Sequence, residues 1–154
     1  MMNYRSFMLV LAAMLSLSFF QTNAQEVKAD DLLGVWLNED KDAHVEIYKE
    51  SGKYFGKIIW LKNPNEDNLT TPNLDDKNQD ESLRSRPIMG LKLLTDFVFD
   101  GDDEWEDGEI YDPKSGKTYS CYIEFHDDNK DELKVRGYIG VSLIGKTTYW
   151  TRVK

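Results

Sequence analysis

The chain has 154 residues, four tryptophans, a single cysteine and a formal net charge of −9. A surface carrying 28 carboxylates against 19 basic groups repels phosphate backbones and anionic membranes, which sets aside nucleic-acid binding and attachment to a membrane by charge. One cysteine allows no internal disulfide, so stability must come from the core.

Residues 1–24 read as an export leader. Arg5 supplies a positive start, Phe7 to Phe20 is a nearly unbroken apolar run, and Thr22-Asn23-Ala24 offers small or polar residues for cleavage before Gln25. The apolar run is 14 residues long, short of the roughly 20 that span a bilayer as a helix. No cysteine follows it to carry a lipid anchor. The expected product is periplasmic or extracellular, a single domain over 25–154 with 18 basic and 28 acidic residues and no membrane span, net charge −10.

Along that domain, strand signals recur and helix signals do not. The runs Gly34 to Asn38, Ala43 to Glu50, Lys53 to Leu61, Leu91 to Phe99, Glu104 to Tyr111, Thr118 to His126, Glu132 to Ile139 and Lys146 to Val153 are rich in β-branched and aromatic residues. Short polar connections with Gly, Asn or Asp join most of them: Glu50-Ser51-Gly52, Asp100 to Asp103, Asp112 to Gly116, and His126 to Asp131. Sequential antiparallel hairpins follow. Val45 and Ile47 alternate with His44 and Glu46, and Leu133, Val135 and Ile139 with Lys134, Arg136 and Tyr138, which points one face of each strand inward. Cys121 shares the apolar face of its strand with Tyr119, Ile123 and Phe125 and reads as a buried small hydrophobe. Trp36, Trp60, Trp105 and Trp150 sit on four separate segments, as rings do when they fill a β-core. The fold expected is all-β, a single antiparallel up-and-down barrel of about eight strands, whose interior either fills with side chains or holds one small ligand.

Gly34-x-Trp36 in the first strand, with Trp150-x-Arg152 in the last, resembles the lipocalin signature, which implies an arginine lying across the first tryptophan and closing the barrel floor. A guanidinium on an indole face is a favourable cation–π contact. The glycine is expected to let the strand bend there. A wider resemblance, to a family of small secreted bacterial proteins of unknown function with a lipocalin-like barrel, rests on Gly34-Val35-Trp36-Leu37, Val45-Glu46-Ile47-Tyr48, Tyr54 to Leu61, Leu83 to Leu91, Ile110 to Tyr119, Leu133 to Tyr138 and Trp150-Thr151-Arg152. The chain departs from that family at Asn78-Gln79-Asp80, where Asn-Pro-Asp is common, and so lacks the rigidity a proline lends that loop. The resemblance implies a barrel and a secreted location and brings no established activity.

The connection from Lys62 to Pro87 is the least strand-like stretch and the expected functional surface. Arg84 and Arg86 either grip an anionic group at the barrel mouth or neutralise Asp75, Asp76 and Asp80 within their own loop. Asp76-x-Asn78-x-Asp80 imitates a calcium loop, but Glu81 and Pro87 stand where an EF-hand needs Gly and Glu, leaving only a looser calcium site open. His44 and His126 lie on different strands and read as surface residues, so no transition-metal site is expected. There is no Gly-x-Ser-x-Gly elbow, no phosphate-binding glycine loop and no cysteine beside a base. The acids from Asp100 to Glu109 read as a solvated run, and a pair of them acting on a sugar stays a minor alternative. Asn68-Leu69-Thr70 fits a glycosylation sequon. The sequence therefore suggests a non-enzymatic carrier of one small apolar or amphipathic ligand, without cofactor. Tyr119, Ile123 and Phe125 would face it, with Arg84 or Arg86 near the mouth. The alternative is a filled barrel that acts through its surface on a protein partner.

Overall fold

The computed structural model describes residues 26–65 and 71–154; the leader read over 1–24 and the Asn68-Leu69-Thr70 sequon lie outside them. A short 3-10 turn, Ala29–Leu32, precedes eight strands: β1 Gly34–Leu37, β2 Ala43–Glu50, β3 Lys53–Leu61, β4 Lys92–Phe99, β5 Glu104–Asp112, β6 Lys117–His126, β7 Asn129–Ile139 and β8 Val141–Arg152. Each pairs antiparallel with the next, and β8 returns to β1 through Trp36 opposite Arg152, closing the barrel. No helix among the described residues is long and apolar enough to cross a membrane.

Turn chemistry sets where the strands stop. Asp127 and Asp128 both take positive φ, 50° and 59°, the backbone of a tight two-residue hairpin turn whose twist matches the strands it joins. Pairing therefore runs on to His126 and Asn129, and β7 starts at Asn129, before the Glu132 expected from sequence. β8 likewise starts at Val141 instead of Lys146, because Val141 to Gly145 pair irregularly and show no alternation to read.

One end of the barrel is packed solid. Trp36, Trp105, Ile123 and Leu133 are fully buried there, with Phe97 and Tyr54 nearly so. Trp105 meets Tyr54 and Phe125 edge-on, at centroid distances of 6.4 and 5.4 Å. Both inner indoles need an acceptor, since a buried unpaired N–H is costly. The 3-10 turn supplies them: Trp36 Nε1 donates to the Leu32 carbonyl and Trp105 Nε1 to the Ala29 carbonyl, each at 3.0 Å. A bulge in β5 turns both Trp105 and Gly108 inward, and a Cβ on Gly108 would stand 2.4 Å from the Phe97 ring.

Arg152 seals this end. Its Cζ lies 4.1 Å from the Trp36 ring centre, and its three nitrogens donate to the carbonyls of Leu33 (2.9 Å), Asp31 (2.7 Å) and Lys130 (3.1 Å). Burial lowers its pKa. Gly34 serves Arg152 as well as the strand backbone. Its φ is 137°, and a Cβ there would come within 2.8 Å of Arg152 Nη1, so the glycine makes room for the guanidinium.

Trp60 does not fill the core. A bulge between His44 and Val45 sets His44 opposite Trp60 but Val45 opposite Ile58. That extra residue flips parity at the top of β3. Trp60 emerges half-exposed on the outer wall, its ring centre 4.4 Å from that of His44.

Candidate ligand cavity

The other end is hollow. The same strands that converge on Trp36 and Trp105 line a cavity of about 870 Å³ whose mouth is framed by the loop 38–42, by Asn63, Asn73 and Ile88 of the long connection, by Pro113 and Lys114, and by the β7–β8 hairpin. Its lower surface is Val45, Val135 and Trp150, its walls include Ile58, Leu93, Ile110 and Tyr119, and Ile88 from the long loop leans over it. These side chains are mostly aliphatic, and none is a Trp or Phe except Trp150, so inward-pointing groups fail to meet across the barrel. Gly137 adds to the space: its missing Cβ would sit 3.1 Å from Ile110 and 3.6 Å from Tyr119.

Charge is confined to the rim. Asn38 folds the β1–β2 loop, accepting from the backbone N–H of Asp42 and Ala43 at 3.0 Å and donating to the Asp42 carboxylate at 2.6 Å. Lys114, from the β5–β6 turn, reaches across to Asp40 at 2.7 Å and Asp42 at 3.4 Å. Hydrogen bonding to Lys114 holds Asp40 below the usual carboxylate range, so Asp40 stays ionised instead of serving as a proton donor at neutral pH.

The long loop is pinned by one fully buried carboxylate. Asp75 receives Arg86 Nε and Nη2, each at 2.8 Å, Asn78 Nδ2 at 2.8 Å and the Tyr111 hydroxyl. Burial, followed by its bond to Asp75, raises the Tyr111 pKa. Arg86 also lies 5.6 Å over the Tyr111 ring. This network clamps the loop to the end of β5 and carries Ile88 over the cavity. Gly116 closes the fit, since a Cβ there would overlap the Lys77 carbonyl. Asn78 Oδ1 accepts from the Asp80 N–H at 2.8 Å, and this side-chain bond stiffens the turn that has no proline.

The sequence-derived site residues thus separate. Tyr119 lines the cavity. Ile123 and Phe125 face inward but lie below it, in the solid half against Trp105. Arg86 binds Asp75, while Arg84 donates to the Asn78 carbonyl at 2.8 Å and to Glu81 at 3.1 Å. Asp76 pairs with Lys77, and Asp80 caps Ser82. Among the described residues no three His, Cys, Asp or Glu side chains are placed to hold a metal ion. Cys121 is buried, and burial pushes its thiol pKa far up. Missed from sequence were Ile88, Gly137 and the Asp75–Tyr111 pair. Their roles depend on partners dozens of residues away, and only the inward parity of neighbouring Val135 hinted at Gly137.

Among solved structures, the chain resembles protein HP1028 of the human pathogen Helicobacter pylori, which belongs to the lipocalin family. The two share 23% identity over 80% of this chain and 83% of that one, with a TM-score of 0.68. That likeness concerns the fold: a closed antiparallel barrel of lipocalin type. No curated protein matches the chain in sequence. Residues 34–152, the whole barrel from the glycine that admits Arg152 to Arg152 itself, match the family model of uncharacterised proteins conserved in bacteria (DUF2147), and the chain belongs to that family.

Proposed function

We propose that this protein is exported by its leader and binds one small apolar or amphipathic molecule in the open half of its barrel, without catalysing its conversion. The observation that carries this reading is the cavity of about 870 Å³, aliphatic and aromatic inside and charged only at its rim. Few-polar, largely apolar concavities of this size suit drug-sized ligands. The apolar body of the ligand rests on Ile58, Leu93 and Tyr119, and a polar head meets Lys114 and Asp40 at the mouth. Arg86 acts through the loop, by holding Ile88 in place. The lipocalin-like architecture supports the same reading.

Native mass spectrometry of the protein purified from the export compartment tests it. The expected result is a non-covalent adduct that denaturation removes, together with uptake of a fluorescent fatty-acid analogue by the stripped protein. Gly137→Leu, which fills the cavity from its wall, should weaken that uptake about tenfold, the equivalent of ~1.4 kcal/mol of lost contact. No adduct and no uptake would overturn the proposal.

A further inference from the structure

The tip of the β7–β8 hairpin exposes apolar side chains that none of the described residues covers. Ile139, Val141, Leu143 and Ile144 are 66, 57, 89 and 66% exposed. Ile139 pairs with Val141 around Gly140, and Tyr138 pairs with Gly145, so Ser142, Leu143 and Ile144 bulge out between them. Arg136 braces the bulge: its Nε donates to the Ser142 carbonyl at 2.7 Å and its Nη1 to Thr147 Oγ1 at 2.8 Å. In a chain of net charge −9, residues 137–145 contain no charged group at all. The first charges met below the tip are Arg136, opposite Thr147, and Lys146, opposite Gly137, so one cation flanks the hairpin on each face, Lys146 on the cavity side.

We propose that this hairpin docks the barrel mouth on a zwitterionic phospholipid bilayer, Leu143, Ile144 and Val141 entering the acyl boundary while Arg136 and Lys146 sit at the level of the lipid phosphates. An apolar tip above a cationic collar is the pattern of an interfacial element, and binding there scales with the apolar area buried. The net negative charge that sets aside attachment to anionic membranes leaves this apolar route open. At the depth of the acyl boundary the bulge keeps access to headgroup water, and the Ser142 carbonyl is already taken up by Arg136. Ile139 and Ile144 also line the cavity, which connects the acyl layer to the barrel interior. That connection rests on the ligand-binding reading above; the docking does not.

The test is Leu143→Cys labelled with an environment-sensitive maleimide fluorophore. Cys121, at 1% exposure, stays unlabelled in the folded protein. With phosphatidylcholine vesicles, the expected result is a blue-shifted, several-fold brighter emission and co-flotation of the unlabelled protein. The double variant Leu143→Asp, Ile144→Asp should bind vesicles at least about tenfold more weakly, with an unchanged melting temperature. All forms share one N-terminus, so a retained leader cannot produce the difference. Flotation unaffected by the two aspartates, or no response to vesicles, overturns the proposal. So does an emission change that follows protein concentration without lipid and coincides with a dimer in sedimentation, which would assign the tip to a second copy of the chain. The assay needs no cavity ligand, so a failed adduct measurement leaves this proposal standing, and the converse also holds.

Discussion

At the closed end of the barrel Trp36, Trp105 and Leu133 leave no room, and their indole N–H groups are taken up by the carbonyls of the 3-10 turn. At the open end the same strands present Ile58, Leu93 and Gly137 around about 870 Å³ of space. Strand number and closure are common to both ends, so neither decides whether the interior is solid. Side-chain size at the inward positions decides it, aided by what caps each end. A compact turn tied down by Arg152 seals the floor, whereas a long loop that reaches the barrel through Asp75 covers the mouth. Interior density is maintained where large rings interlock; where they are replaced by aliphatic groups and glycine, the barrel keeps its wall and loses its filling.

The two ends should respond unequally to the same substitution. Leu133→Ala should cost about 4 kcal/mol, because it opens a void in packed surroundings, while Leu93→Ala, beside existing space, should cost about 2 kcal/mol. Urea unfolding monitored by tryptophan fluorescence measures both, and equal losses would mean that the open end is packed in solution. Next is the clamp over the mouth. Arg86→Ala strands the buried Asp75 carboxylate and should cost about 3 kcal/mol, discounted to the low end for the partial exposure of Arg86. Arg86→Lys should recover only part of this, since a single ammonium cannot reproduce the two parallel bonds to Asp75.

The smallest contrast is electrostatic. Asp31, half-buried, is held below the usual carboxylate range chiefly by its hydrogen bond from Lys130, 2.6 Å away at the floor. Asp40 is held down by the more exposed Lys114 at the mouth. A carboxylate whose folded pKa lies below its unfolded value stabilises the protein above the unfolded value, near 3.8, and loses that contribution as pH falls through the folded one. Lys130→Met should therefore lower stability by about 1 kcal/mol at pH 7 and flatten the acid limb, whereas Lys114→Met should change it by less than about 0.5 kcal/mol. Melting temperatures between pH 7 and pH 2 read out both effects.

Much of the architecture was legible in the chain. Alternation at Val45 and Ile47 and the β-branched and aromatic content of Ala43 to Glu50 and Lys53 to Leu61 mark two strands at the bounds they take, because such side chains suit a pleated, half-buried surface. Gly34-x-Trp36 and Trp150-x-Arg152 point to the floor, since a guanidinium stacked on an indole leaves its signature in residue type. Bulges hide in the same text. Nothing local to His44-Val45 or Trp60 says that one extra residue turns that indole outward, and nothing near Ser142 says that Leu143 projects into solvent.

Strand count, antiparallel order, the buried cysteine and the family are written in the chain, because period, turn residues and motif are local properties. Tertiary structure decided that Ile123 and Phe125 belong to the solid half and Tyr119 to the hollow one, that Arg86 serves Asp75, and that Gly34 makes room for Arg152. Each of these depends on which side chains meet across the barrel. Closure brings together residues far apart in the chain, and the size of the space left between them belongs to the assembled wall and to no single strand.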